Sequence, residues 1–215
     1  MIQNLLLDLD GTLTDSKLGI IRCVQHALTE LGQPMPPNDD LLWFIGPPLR
    51  VSFEQILEGA GEDAEEAVTL YRERFGTVGL LENNIYDGVT ELLAAQAAAG
   101  KRQFIASTKP HVYIQPILEH FELGHWFERV YGSELDGTRA VKTDLLHHIF
   151  AELDLIPAET VMIGDRMHDI DAAKAVGATS IWVDYGHGSA KERDQAEPDY
   201  ICASIEELGV LLNSI

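Results

Sequence analysis

The chain has 215 residues, with 35 Asp and Glu against 15 Lys and Arg and a formal net charge of -20. That balance excludes a nucleic-acid polymer as the main partner, because phosphate backbones are met by clustered Lys and Arg, and it gives no attraction to an anionic membrane surface. With 46% hydrophobic and 23% charged residues, the composition is that of a globular chain able to bury a core without staples.

The start, Met1-Ile2-Gln3-Asn4-Leu5-Leu6-Leu7-Asp8, has no basic segment ahead of its apolar run and reads as a strand, not a signal peptide. The stretch from 15 to 83 contains no convincing strand. It has helical runs at Leu18 to Leu31, Leu49 to Gly59 and Glu62 to Phe75, divided by the breakers Gln33-Pro34-Met35-Pro36-Pro37 and Gly46-Pro47-Pro48. From about residue 84 strands and helices alternate. Short apolar runs ending in small or acidic residues occur at Gln103 to Ser107, Arg129 to Gly132, Thr160 to Asp165, Thr179 to Asp184 and Tyr200 to Ala203, which suits buried parallel strands. Val89 to Ala99 reads as a helix stopped by Gly100, Asp144 to Leu153 is amphipathic, and Ile170 to Val176 closes at Gly177.

The expected fold is α/β: a Rossmann-like, doubly wound parallel sheet formed by residues 1–14 and 84–215, with a small all-helical cap, 15–83, inserted after the first strand. Cys23 and Cys202 lie far apart and in no CxxC pattern, so neither a disulfide framework nor a zinc site is expected. No apolar run approaches the roughly 20 residues of a membrane helix, and the expected location is cytoplasmic.

Chemistry concentrates at strand ends. The first strand runs into Asp8-Leu9-Asp10-Gly11-Thr12-Leu13-Thr14-Asp15, two carboxylates that in extended geometry share one side. Like charges held so close call for a cation between them or a proton on one. Val161-Met162-Ile163-Gly164-Asp165-Arg166-Met167-His168-Asp169 repeats the grammar, offering Asp165 as a hard oxygen ligand for Mg²⁺ and Asp169 at the start of a helix. Read alone, Asp169 is a helix N-terminal acid complementing the dipole. Phe104-Ile105-Ala106-Ser107-Thr108-Lys109-Pro110 ends a third strand in hydroxyls and a lysine ahead of a helix, a seat for a phosphoryl group. Lys142, alone indistinguishable from a surface lysine, is placed to neutralise such a group.

Taken together and in this order, these four segments resemble the four motifs of the haloacid dehalogenase-like hydrolase superfamily, over the whole chain. The helical insert directly after the first motif resembles the small-cap subfamily that includes phosphoglycolate phosphatases. Phe44-Ile45-Gly46-Pro47-Pro48-Leu49-Arg50 and Tyr131-Gly132-Ser133-Glu134-Leu135-Asp136-Gly137-Thr138-Arg139 are similar to a branch labelled 5′-nucleotidase or phosphoglycolate phosphatase-like. Phosphoglycolate phosphatases typically carry Pro after the third-motif lysine, whereas here Thr143 follows Lys142.

The resemblance implies that Asp8 attacks phosphorus to form an aspartyl-phosphate, and that Asp10 protonates the leaving alcohol and then activates water. It also implies Mg²⁺ held by Asp8, the carbonyl of Asp10 and Asp165, with Asp169 in support, and a phosphoryl clamp of Ser107 and Lys142 beside Thr108 and Lys109. The implied substrate is a small phosphate monoester, phosphoglycolate or a nucleoside monophosphate. A phosphomutase, or a binding protein that keeps the fold without catalysis, are the competing readings. Specificity is expected in the cap, where Gly46-Pro47-Pro48 forms a stiff turn and Arg50 is the candidate for an anionic substrate group.

Other residues read as structural. Leu135-Asp136-Gly137-Thr138 imitates the first motif without its second acid, and His147-His148 point about 100° apart on a helix. Tyr185-Gly186-His187-Gly188 reads as a loop near the end of the sheet, where loops carry function.

Overall fold

The computed structural model describes residues 1–59 and 61–215. The chain divides into two compact units, Met1–Asp15 with Ile85–Ile215, and Ser16–Asn84. In chain order the elements are β1 (Asn4–Leu7), β2 (Thr14–Asp15), α1 (Lys17–Glu30), α2 (Leu49–Ile56), α3 (Gly61–Phe75), β3 (Asn84–Ile85), α4 (Val89–Ala98) and β4 (Arg102–Pro110). There follow α5 (His111–His120), β5 (Arg129–Ser133), α6 (Lys142–Leu153), β6 (Thr160–Gly164), α7 (Met167–Val176), β7 (Thr179–Val183), α8 (Ala190–Ala196), β8 (Tyr200–Cys202) and α9 (Ile205–Leu212).

The first unit is built on a six-stranded sheet in the order β5-β4-β1-β6-β7-β8, parallel throughout. This is the doubly wound arrangement expected from the alternating pattern. Central strands are buried on both faces, which is why they read as continuous apolar runs and not as alternation. On one face Leu6, Phe104, Ala106 and Met162 meet Leu145, Leu146 and Ile149 of α6 and Ala172 and Ala173 of α7. Their strand neighbours point the other way. There the buried Gln103 donates to the Leu93 carbonyl of α4 at 3.0 Å, tying that helix to β4.

The second unit is helical. Besides α1, α2 and α3 it has 3-10 turns at Asn38–Phe44 and Gly79–Leu81. Its core is aromatic: Phe44 meets Phe53 edge-on at 5.2 Å between centroids, and Tyr71 stacks on Phe75 at 5.4 Å. Glu82 receives both Arg22 at 2.6 Å and Arg74 at 2.7 Å. Among the described residues no helix is long and apolar enough to cross a membrane.

Helices α8 and α9 of the α/β unit are absent from the sequence reading, which places a helix after Lys109 but gives α5 no bounds. Helix α5 starts directly after Pro110 and carries Pro116 inside it, two prolines that interrupt the helical pattern. Both α8 and α9 are only two turns long, and neither stretch spans enough residues to establish a period. Strand β4 also runs beyond the expected Ser107 to Pro110, with a register shift against β5 between Ala106 and Pro110. Such irregularities re-aim side chains at strand ends.

Phe104 is fully buried in the middle of β4. Replacing it with Ala is expected to cost about 3–5 kcal/mol, read as a lower urea midpoint with an unchanged slope.

Candidate active site

The sheet order reverses between β1 and β6, and open α/β sheets bind ligands at the carboxyl ends of the strands flanking such a reversal. Both strands end in aspartate. Asp8 follows β1, its N–H still bonded to the Ile163 carbonyl of β6 at 3.0 Å, and Asp165 follows β6. The first turn of α7 adds Asp169. Oxygens of Asp8, Asp165 and Asp169 lie within 4.8 Å of one another, and all three residues are buried.

Lys142 enters this cluster from the first position of α6. Its ammonium lies 2.7 Å from Asp169 Oδ1 and 3.0 Å from Asp8 Oδ1, and donates to the Ala106 carbonyl of β4 at 2.7 Å. Burial pulls the lysine pKa down, but Asp169 and Asp8 outweigh it and leave the net shift upward. The other oxygen of Asp169 accepts from the backbone N–H of Arg166 at 3.1 Å. Thus one oxygen of Asp169 serves the start of α7 and the other faces Lys142.

Three carboxylates face one ammonium. Burial pushes the Asp8 carboxyl up to about 6, opposed by Lys142 and assisted by Asp169 and Asp10. Asp165 is raised well above the usual carboxylate range, by burial first and then by Asp169 and Asp8, despite the N–H of His187 donated to its Oδ2 at 2.7 Å. Its Oδ1 is buried without a hydrogen-bond partner among the described residues. A dication would counter this excess of negative charge, and an all-oxygen donor set suits Mg²⁺.

Two glycines give Asp165 its room. A Cβ on Gly11 or on Gly186 would overlap the Asp165 carboxylate, and Gly11 also has φ of +82°. The turn after Asp8 is closed by the N–H groups of Leu13 and Thr14, both donating to the Leu9 carbonyl. The Tyr185 hydroxyl donates to the Thr12 carbonyl at 3.1 Å. The loop from Tyr185 to Gly188 therefore braces both aspartate-bearing turns.

Asp10 stands apart from the three-carboxylate cluster in its side chain. Its Oδ2 is 2.7 Å from the Lys109 ammonium, with both groups largely buried. Ser107 is buried and accepts from the Lys109 N–H at 3.3 Å. The Thr108 carbonyl is held by the Ser133 hydroxyl at 2.7 Å. The irregular end of β4 thus carries Ser107, Thr108 and Lys109 in one short segment. Arg50 and Gly46 belong to the helical unit. There Arg50 is exposed and pairs with Glu54 at 3.0 Å and Glu65 at 2.7 Å, while Gly46 has φ of +110°.

Two contributors escape a reading of motifs. The strand-end position of Lys109 points to a phosphoryl group, but nothing in the spacing links it to Asp10, 99 positions away. Glu192 of α8 accepts from the Arg166 side chain and from the Met167 N–H, both at 2.9 Å. It fixes the turn between Asp165 and Asp169 from a helix the sequence did not reveal.

A family model described as haloacid dehalogenase-like hydrolase matches residues 5–183. A protein of Pseudomonas aeruginosa named 5′-nucleotidase is 44% identical over 211 residues, covering 98% of this chain and 96% of its own. One of Mycobacterium tuberculosis named tyrosine-protein kinase PtkA is 38% identical over 208 residues, covering 96% of this chain and 71% of its own. A phosphoglycolate phosphatase of Colwellia psychrerythraea is 30% identical, over 97% of this chain and 96% of its own. Among solved structures, a crystal structure described as a predicted phosphatase from Clostridium acetobutylicum superposes with a TM-score of 0.95 at 36% identity, covering 100% of both chains.

A carboxyl whose folded pKa lies above its unfolded value keeps its proton in the folded state through the intervening window. Its contribution to stability is therefore lost as pH rises from about 3.8 to about 6. Metal-free Asp8→Asn is expected to match the wild type near pH 4 and to be the more stable of the two at pH 7.5, read by denaturant melts in chelator. Added Mg²⁺ is expected to narrow that gap by stabilising the wild type. A second substitution, Gly186→Ala, is expected to abolish the Mg²⁺-induced rise in melting temperature while leaving the circular dichroism spectrum native.

Proposed function

The chain belongs to the haloacid dehalogenase-like hydrolases, and from that premise we propose that it is a Mg²⁺-dependent phosphatase of small phosphate monoesters. The observation that carries this reading is the buried Asp8–Lys142–Asp169 arrangement beside Asp165, with a second acid, Asp10, held two residues beyond Asp8. The relative named 5′-nucleotidase favours a nucleoside monophosphate as substrate, and the relative named phosphoglycolate phosphatase supports phosphoglycolate as the other candidate.

Asp8 is the nucleophile. Its carboxylate oxygen forms a bond to phosphorus as the ester oxygen–phosphorus bond breaks, leaving an aspartyl-phosphate. Asp10 gives its proton to the departing ester oxygen, so that an alcohol leaves and not an alkoxide. In the second half water attacks the same phosphorus, Asp10 takes the water's proton, and the Asp8 carboxylate is released with inorganic phosphate. Bound at Asp8, Asp165 and Asp169, with the Asp10 carbonyl as a further donor, Mg²⁺ would supply positive charge for the phosphoryl oxygens.

Lys142 keeps Asp8 oriented and shares its positive charge with the incoming phosphoryl group. Lys109 holds Asp10 through Oδ2, leaving Oδ1, buried without a hydrogen-bond partner among the described residues, to carry the proton, and Ser107 and Thr108 offer hydroxyls on the same strand end. Arg50, with Gly46 in the preceding turn, is the helical unit's candidate for an anionic substrate group, and its exposed pairs with Glu54 and Glu65 hold it only weakly.

Phosphate release from a panel of nucleoside monophosphates, phosphoglycolate and sugar phosphates is the deciding measurement. Turnover is expected with Mg²⁺, none with chelator, and none in Asp8→Asn. Isomerised sugar phosphate without release of inorganic phosphate would indicate a mutase instead. Asp10→Asn is expected to lower kcat by about 10²–10⁴-fold for alkyl esters and by less for an ester with an acidic leaving group such as 4-nitrophenyl phosphate. Arg50→Ala is expected to raise KM with kcat little changed; unchanged kcat/KM on the best substrate would remove Arg50 from the site.

A further inference from the structure

The acidic cluster is short of positive charge, yet an arginine directly follows one of its members and does not pair with it. Arg166 comes after Asp165 and three positions before Asp169. A guanidinium suits such carboxylates, because its planar fork matches their two oxygens. Among the described residues, however, Arg166 pairs with Glu192 of α8, from Nε to Oε1 at 2.9 Å. The two side chains are 13% and 18% exposed, so the pair lies largely out of water, where charge attraction is stronger than at the surface. Arg166 Nη1 is buried without a hydrogen-bond partner among the described residues, so the guanidinium still has a donor to give. Its charge already counts at Asp165, where it works against burial, the first cause of that carboxyl's raised pKa.

Glu192 is itself firmly held. The oxygen that takes Arg166 also accepts from the Met167 N–H at 2.9 Å, and the Glu192 N–H donates to the hydroxyl of the N-cap Ser189 at 3.1 Å. At the other end of α8, Ala196 packs in one cluster with Ile170 of α7 and Trp182 of β7, and its carbonyl accepts from the Lys174 ammonium at 2.6 Å. Helix α8 is thus moored to α7 at both ends, and the Glu192 carboxylate is a fixed anchor for the arginine.

We propose that Glu192 is a positioning residue that holds the Arg166 guanidinium off the acidic cluster and so keeps Asp165 and Asp169 open to Mg²⁺. Without Glu192, Arg166 turns its fork onto the cluster and competes with the dication for the same oxygens. This role rests on the phosphatase reading, in which the cluster holds Mg²⁺, and it gives the Arg166–Glu192 pair a task beyond bracing the turn. Glu192 acts through Arg166 and not only through the Met167 N–H, and experiment separates the two routes.

Mg²⁺ is titrated into the metal-free protein by calorimetry, with the Arg166 Nε–H resonance followed by NMR in a parallel titration. Glu192→Ala is expected to raise the Mg²⁺ Kd at least about tenfold. Its Arg166 resonance is expected to move with added metal much further than in the wild type, as the guanidinium is displaced. Adding Arg166→Met to Glu192→Ala is expected to return Kd to within about threefold of the wild type, although the double variant has lost more contacts than the single one. Loosening of the turn cannot produce that order. A double variant as weak as Glu192→Ala would overturn the proposal, and so would an unchanged Kd in Glu192→Ala. Absence of Mg²⁺ binding by the wild type would sink the phosphatase reading, and this role with it.

Discussion

The α/β unit depends on one buried ammonium. Lys142 joins four elements at a single point: it caps the space beyond β1 through Asp8, meets α7 through Asp169, takes the Ala106 carbonyl of β4, and is itself the first residue of α6. Three of these partners are polar groups that would otherwise be buried with too few contacts. A buried charge survives only when paired and hydrogen-bonded, and here the pairing is shared between two carboxylates. The same contacts keep the lysine charged and keep Asp8 from rising still further than about 6. Stability and chemistry are therefore not separable at this position.

What Lys142 leaves undone is equally informative. One ammonium against three buried carboxylates is a deficit, and it falls on Asp165, whose free oxygen and raised pKa mark where further positive charge belongs. The chain has built this deficit with care. Gly11 and Gly186 leave space for the carboxylate, the His187 N–H orients one of its oxygens, and Glu192 pins the turn that follows. Three carboxylates held so tightly around one ammonium carry an electrostatic cost, which is visible in the raised pKa of Asp8 and Asp165. The overall charge of -20 works against any anionic substrate, and Lys142 and Lys109 are the positive charges set against it at short range, where the field of distant surface acids is screened.

Much of this was legible in the sequence because burial on both faces writes central parallel strands as unbroken apolar runs. Asn4 to Leu7, Thr160 to Gly164 and Thr179 to Val183 needed no periodicity to be found, and their carboxyl ends pointed to Asp8 and Asp165. Helices written in short or proline-cut stretches, α5, α8 and α9, left no period to read. Pairings across the sheet were invisible for a different reason. That Lys109 meets Asp10 depends on the irregular register at the end of β4, and that Glu192 meets Met167 depends on where a short helix lands. Neither fact has a local signature.

Lys142 is the sharpest case. As a sequence feature it is one lysine after a loop, and the resemblance of its neighbours to a known motif is weak. Its importance comes from topology: α6 follows β5, which lies beside β4, which lies beside β1, so the start of α6 is brought to the strand ends where the acids stand. The order of strands thus converts a residue with no distinguishing context into the ion that the cluster requires.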